Sequence, residues 1–382
     1  MISRILGRTG EPVGVIGLGM EQLEPETRET VVSVVREAAA GGIEWFDLFM
    51  ATPGIRDAMG EAIRGIRDGL KIAGHLGAVL VDGKTDRSRD PGPAGEAFHD
   101  LLRRLHTDHV DALMLFFVDE PDDYERTFGP GGLAELALRL KEAGKARFLG
   151  MSTHSVPSAL KAVRSGLLDV LMFPVNPAFD LQPGSIRLEA LWEAETYRRE
   201  GGARKASPPD RRELYAECAR RGVAIVAMKP FAAGLLLDAK NPSGIALSPV
   251  QYLHYALSQP GVCVAVPGCR SVQHVRECLR YIEATEAERD YSALSATDLW
   301  KLEGRCMYCN HCLPCPAGID VAAVTRLLDA GRAGMSDALR GEYRRLDRGG
   351  GACTACGLCM ERCPFGVDVP AAMKEAAAFF GA

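Results

Sequence analysis

Eight short runs of consecutive apolar positions punctuate the chain up to about residue 269: VGVIGLG from Val13, EWFDLF from Glu44, LKIAGHLG from Leu70, HVDALMLFF from His109, ARFLGMSTH from Ala146, LLDVLMFPVN from Leu167, GVAIVAMKPF from Gly222 and GVCVAVPGC from Gly261. Rich in β-branched residues and apolar at successive rather than alternate positions, each reads as a strand buried on both faces. The segments between them have helical periodicity, as in TRETVVSVVREAAAGG, PAGEAFHDLLRRLH, GLAELALRLKEAGK, VPSALKAVRSG and SPVQYLHYALSQ, and several open on Ser, Thr or Pro and close on Gly. Parallel strands require helical crossovers, so eight such alternations predict an α/β fold, a closed (β/α)8 TIM barrel with its active site at the C-terminal ends of the strands.

The longest connection runs from Pro177 to Arg221 and contains the charge-dense stretch ETYRREGGARKASPPDRRE. The charged 179–212 insertion reads as a solvated helical excursion, or as a lid or docking surface on the functional face. From about Trp300 the pattern changes to paired cysteines, Gly and Pro. Two domains are therefore expected, a barrel over 1–298 and a small α-rich domain over 299–382, with little regular structure in the second. The second carries an internal repeat: CMYCNHCLPCPAGIDVAAV from Cys306 returns as CTACGLCMERCPFGVDVPAA from Cys353.

The 382 residues, 47% hydrophobic and 25% charged, suit a barrel plus an appendage and exclude extended disorder. A formal charge of -5 argues against a nucleic-acid or anionic-membrane partner, either of which demands a basic face, and leaves a small molecule as the expected ligand. No apolar run reaches membrane-spanning length and MISRILGRTGEPVG has no signal-peptide core, so a cytoplasmic protein is expected.

Eight of the 12 cysteines crowd between residues 306 and 363, a distribution that reads as metal ligation in a cytosolic chain. Cys306, Cys309, Cys312 and Cys315 stand at three-residue spacing before Pro316; Cys353, Cys356, Cys359 and Cys363 precede Pro364. A C-x2-C-x2-C triplet brings three soft thiolates to one cubane cluster from a tight loop, and the fourth comes from the other motif in two-cluster ferredoxins. This assigns one [4Fe-4S] cluster to Cys306, Cys309, Cys312 and Cys363, and a second to Cys353, Cys356, Cys359 and Cys315. Two zinc sites are the alternative, but zinc usually takes two separated C-x2-C pairs. With every iron ligated by the protein, the clusters are expected to transfer electrons rather than bind substrate.

RILGRTGEPVGVIGLGM, GIEWFDLF, FLGMSTH, VAMKPFAAGLL and VAVPGCRSVQHV together resemble the aldo/keto reductase family over about Met1 to Glu283. With the cluster motifs behind the barrel, the chain is most similar to the branch of that family fused to a ferredoxin-like domain. The resemblance implies carbonyl reduction by NADPH, with an Asp, Tyr, Lys and His as catalytic groups. Of these only Asp47 is retained: Thr52 stands at the Tyr position, His75 at the Lys position and Phe116 at the His position. An aliphatic hydroxyl cannot replace a phenol as proton donor, so the usual reaction is not expected. The resemblance also implies NADP(H) contacts at Ser152, for the carboxamide, and at Gly268, Arg270 and Ser271, for the phosphates. Met172, Met228 and Cys278 replace the Gln, the stacking aromatic and the Asn of that cofactor site.

Asp47, His75, His154 and Lys229 all fall at C-terminal strand ends and are the catalytic candidates. An imidazole gives and accepts protons near neutral pH, and Asp47 would fix the tautomer of His75. The expected function is an iron-sulfur oxidoreductase of the aldo/keto reductase type, acting on a small organic substrate and exchanging electrons with an external ferredoxin or flavodoxin. Two alternatives are a non-redox lyase or dehydratase using His75, Asp47 and Lys229, and a non-catalytic electron-transfer or partner-activating subunit.

Overall fold

In the computed structural model, every residue is described except 185, 187, 198–203, 206–209, 239–240, 242, 297–299 and 382. The described residues form two compact units: Met1–Pro174 with Ala224–Lys229 and Cys263–Ile282, and Val175–Val223 with Pro230–Val262 and Glu283–Ala382. The boundary expected at 298/299 lies outside the described residues, as does much of the charged insertion.

The first unit holds one eight-stranded parallel sheet: β1 (Leu18–Gly19), β2 (Trp45–Leu48), β3 (Lys71–Leu76), β4 (Val110–Leu115), β5 (Ala146–Ser152), β6 (Val170–Pro174), β7 (Ala224–Met228) and β8 (Val262–Val266), paired in chain order. Parallel bridges Ile16↔Ala265 and Gly19↔Gly268 join the ends and make a nearly closed barrel. All eight expected strands are present. Inside, Trp45, Ala73, Ala112, Met114, Val170, Met172, Ala224, Val226, Val264 and Val266 form the core. Their spacing of two along each strand is the inward face of a TIM barrel. Gly150 of β5 faces the same interior, where a Cβ would collide with the Met114 side chain.

Helices follow the strands because their ends are specified locally. Thr27 caps α1 (Arg28–Ala40), and Asp90 caps α3 (Pro91–Arg104), where proline occupies the first turn. Ahead of α3, Pro53–Ala62 forms α2; after it come α4 (Leu133–Glu142) and α5 (Val156–Arg164). Helices α6 (Asp210–Arg221) and α7 (Pro249–Ser258) lie in the second unit, and α8 (Val272–Glu283) follows β8. Ser248 and Gln251 close a capping box on α7. Two antiparallel hairpins, Ser3–Ile5 with Pro12–Gly14 and Ala78–Val81 with Lys84–Arg87, escaped the sequence reading because their strands are short and partly exposed.

The second unit is more helical than its cysteine-rich sequence implied. α9 (Val321–Arg332), α10 (Asp337–Arg344) and α11 (Val369–Phe380) fill it, with α9 packed on both α6 and α11. Asp320 and Asp368, at matching places in the repeat, each cap the helix behind their motif by accepting from the backbone N–H of Ala323 and Ala371. The α-rich character expected of this region is present, carried by the alanine-rich runs behind each cysteine motif. No described helix is long and apolar enough to cross a membrane.

Candidate functional site

The period of two that builds the barrel core also selects what stands one layer above it. Two residues beyond Trp45, Ala73, Met114, Gly150 and Val226 come Asp47, His75, Phe116, Ser152 and Met228. This layer sits at the C-terminal strand ends, where barrel enzymes place their chemistry.

The structure brings Asp47 and His75 together. His75 Nε2 lies 2.8 Å from Asp47 Oδ1, and both residues are buried. With Nε2 engaged by the carboxylate, Nδ1 is the ring nitrogen left for another partner. Nδ1 is buried and has no hydrogen-bond partner among the described residues. A buried polar atom left unpaired costs about 1–3 kcal/mol, and Nδ1 stands at the strand ends where a bound molecule could reach it. Phe49 and Phe116 meet His75 edge-on at 6.0 and 5.5 Å and stack on each other at 5.4 Å. The ring at position 116 thus lines the polar pair with an apolar wall.

A second His–Asp pair was only half legible. His154 Nδ1 lies 3.0 Å from Asp119 Oδ2, while the His154 backbone N–H and the Thr153 hydroxyl donate to Asp119 Oδ1. Burial acts to raise the Asp119 pKa, but His154 and the other donors outweigh it and hold the carboxyl below its usual value. Asp119 lies four residues beyond β4, past a backbone kink at Phe117 (φ 50°) that no periodicity reports. Arg89, also unforeseen, donates to the Phe116 and Phe117 carbonyls and to Asp123, bracing that kink. Lys229, just past β7, lies 3.8 Å from Glu21. The Thr52 hydroxyl donates to Glu24 at 2.6 Å, and Thr52 precedes α2 as its N-cap.

Of the positions expected to hold a nicotinamide nucleotide, Ser152 accepts from the Phe117 N–H at 2.9 Å and keeps its hydroxyl proton to donate. Ser271 Oγ accepts from the His274 N–H at the start of α8. The Arg270 side chain is exposed, 3.9 Å from Glu26. A Cβ at Gly268 would fall 2.6 Å from Gln22 Cγ, so this loop requires glycine. The loop expected to hold the phosphates thus has a helix N-terminus and a cation beside it. At the other end Met172 is core, and Met228 packs against it in place of an aromatic ring.

In the second unit the two cysteine loops share left-handed residues at matching positions. Tyr308 (φ 60°) and Asn310 (φ 64°) match Ala355 (φ 53°) and Gly357 (φ 83°), at the second and fourth positions after the first cysteine, and Gly318 (71°) matches Gly366 (62°). Left-handed residues at these places turn successive N–H groups toward one side, a concavity suited to anions such as thiolates. The Ala355 N–H reaches Cys353 Sγ at 3.4 Å, and the Tyr308 N–H acts likewise on Cys306. Burial raises the Cys306 thiol to about 11, Cys309 to about 12 and Cys312 further, and Cys363 is near enough for its charge to raise all three. Cys312 and Cys315 both line one cavity with Cys353, Cys356 and Cys359. Among the described residues no three His, Cys, Asp or Glu side chains converge as ligands of one metal ion. A cubane, by contrast, distributes four thiolates over four irons.

No protein-family model matches the chain, and no curated protein does. Solved structures match over most of the length. The chain is similar to the aldo-keto reductase AKR11C1 from Bacillus halodurans in its holo form (TM-score 0.56, 20% identity, covering 76% of this chain and 95% of that one). It is also similar to PA4992, a putative aldo-keto reductase from Pseudomonas aeruginosa (TM-score 0.54, 19% identity, 74% and 96%). At these identities the likeness establishes the barrel fold.

Proposed function

We propose that this protein is a cytoplasmic iron-sulfur oxidoreductase of the aldo-keto reductase type, acting on a small organic substrate without tyrosine-based carbonyl reduction. The observation that carries the reading is the pair of matching cysteine loops. Burial raises the pKa values of Cys306, Cys309 and Cys312 in the first loop, so these favour the thiolate only where a cation neutralises it. Cys306, Cys309, Cys312 and Cys363 would hold one [4Fe-4S] cluster; Cys353, Cys356, Cys359 and Cys315 would hold the other. Bound there, the clusters supply one-electron transfer to or from an external ferredoxin or flavodoxin.

The barrel's own residues supply binding and proton transfer. Asp47 fixes the His75 ring through Nε2, and Nδ1 takes a proton from the substrate or returns one to it. The Phe49 and Phe116 rings exclude water from that nitrogen and select a substrate with an apolar flank. His154, oriented by Asp119, and Lys229 are the further polar groups for orientation and charge. Ser152, Gly268, Arg270 and Ser271 would hold NADP(H) by its carboxamide and phosphates. A second reading, a lyase or dehydratase on His75, Asp47 and Lys229, draws on the same His–Asp pair, which needs no redox partner.

The test is an anaerobic assay of substrate turnover with a chemically reduced ferredoxin or flavodoxin as donor. Turnover that consumes reduced donor in proportion to product supports the oxidoreductase; turnover without donor selects the lyase. A companion expectation concerns ordinary aldehydes with NADPH. Turnover should be weak, because Thr52 already donates its hydroxyl to Glu24 and has no phenolic acidity. Thr52→Tyr alone should not restore it, since the Lys and His positions hold His75 and Phe116. Robust aldehyde reduction by the unaltered protein would show that a proton donor lies elsewhere.

A further inference from the structure

The two cysteine quartets differ in their electrostatic surroundings: Arg305 precedes Cys306 in the chain, Arg362 bonds the Cys312 carbonyl, and Arg212 is anchored directly on the Cys306 loop. Arg212, in the first turn of α6, donates from Nη2 to the Cys306 carbonyl at 2.8 Å and touches Met307 Sδ at 3.5 Å. Its guanidinium carbon lies 5.4 Å from the Tyr308 ring centroid, and Nη1 lies 4.0 Å from Asp329 Oδ2. Tyr308 donates to that same carboxylate oxygen at 2.6 Å. Burial opposes the charge on Arg212, but Tyr308, Asp329, Tyr255 and Cys306 together outweigh it, and the guanidinium stays protonated. Arg362, between the motifs in space, donates to the Pro314 carbonyl at 2.9 Å.

The second loop has no such attachment. Among the described residues no arginine donates to the carbonyls of Cys353, Thr354 or Ala355. The cavity beside Cys315, Cys353, Cys356 and Cys359 is lined by Pro316, Ile319, Val321, Val369 and Met373, and Cys356 is exposed. Tuning of a cluster depends on local charge, hydrogen bonding and solvent exposure. Reduction adds a negative charge, which a fixed cation in a poorly solvated site favours.

We propose that Arg212 is a positioning residue that raises the reduction potential of the cluster held by Cys306, Cys309, Cys312 and Cys363 above that of the other cluster. This rests on the two-cluster reading above. The more exposed second quartet then faces external carriers, and the first is where an electron comes to rest.

The test is a redox titration of anaerobic full-length protein followed by electron paramagnetic resonance. Unaltered protein should be reduced in two separated steps, and the higher one should vanish in Cys309→Ala. In Arg212→Met the higher step should move down toward an unmoved lower step, with iron content unchanged. Arg212→Lys, which keeps the charge, should restore much of the separation. Asp329→Asn, which removes the opposing anion, should move the higher step up. An unmoved higher step in iron-replete Arg212→Met overturns the proposal. If Arg212→Met loses iron, an unmoved or lowered step in Asp329→Asn overturns it instead. Absence of any cluster from unaltered protein contradicts the two-cluster reading itself, and so the two failures are distinguishable.

Discussion

His75→Ala should lower turnover of the barrel's substrate by about 10²-fold or more, the usual loss when a positioned proton-transfer group is removed. His75 is the expected centre because Asp47 already occupies Nε2, while Nδ1 is buried without a partner among the described residues. Truncation also strips Asp47 of its partner inside the barrel mouth, and a carboxylate left so buried is destabilising in its own right. Thermal unfolding and iron content of the variant therefore belong beside the rate. His75→Gln separates the two effects: an amide can still hydrogen-bond Asp47 but cannot carry a proton. The account predicts that His75→Gln stays folded, binds substrate nearly as well and remains slow. Full activity in His75→Ala would transfer the role to His154 or Lys229. Full activity in variants of all three would favour the partner-activating subunit.

Cys363→Ala should abolish the cluster of the first motif, and Cys315→Ala that of the second, each variant retaining about four irons. The crossed reading draws on the charge that Cys363 adds at Cys306, Cys309 and Cys312, and on the cavity that Cys315, together with Cys312, shares with Cys353, Cys356 and Cys359. Arg362 reinforces this by bonding the Pro314 carbonyl, tying the end of one motif to the other. The resonance lost in Cys363→Ala should be the one lost in Cys306→Ala. If it matches the loss in Cys353→Ala instead, each motif ligates its own cluster.

The barrel was legible because each of its strands is an uninterrupted apolar run, and a doubly buried strand has no polar face to obscure it. Asp47 and His75 were legible for the complementary reason: each is a polar residue two places beyond an inward-facing core position, Trp45 and Ala73. The groups that support His154 and the turn at Phe117 were not. Asp119 follows a left-handed turn at Phe117, and Arg89 reaches the same turn from the segment before α3, so neither belongs to a repeat that spacing reveals. Arg211 and Arg212 illustrate the opposite failure. In a charge-dense stretch they read as solvated, yet Arg211 is buried against Asp180, and Arg212 donates to the Cys306 carbonyl. Asp180 also takes hydrogen bonds from Tyr215 and Tyr255, a buried carboxyl within the second unit that only tertiary structure discloses.

Iron and acid-labile sulfide analysis of anaerobically purified protein, with paramagnetic resonance of the reduced form, tests the central claim most directly. The account predicts about eight irons and eight sulfides per chain, with spectra of two interacting [4Fe-4S] clusters. Stoichiometric zinc, or iron for a single cluster after full reconstitution, would contradict it.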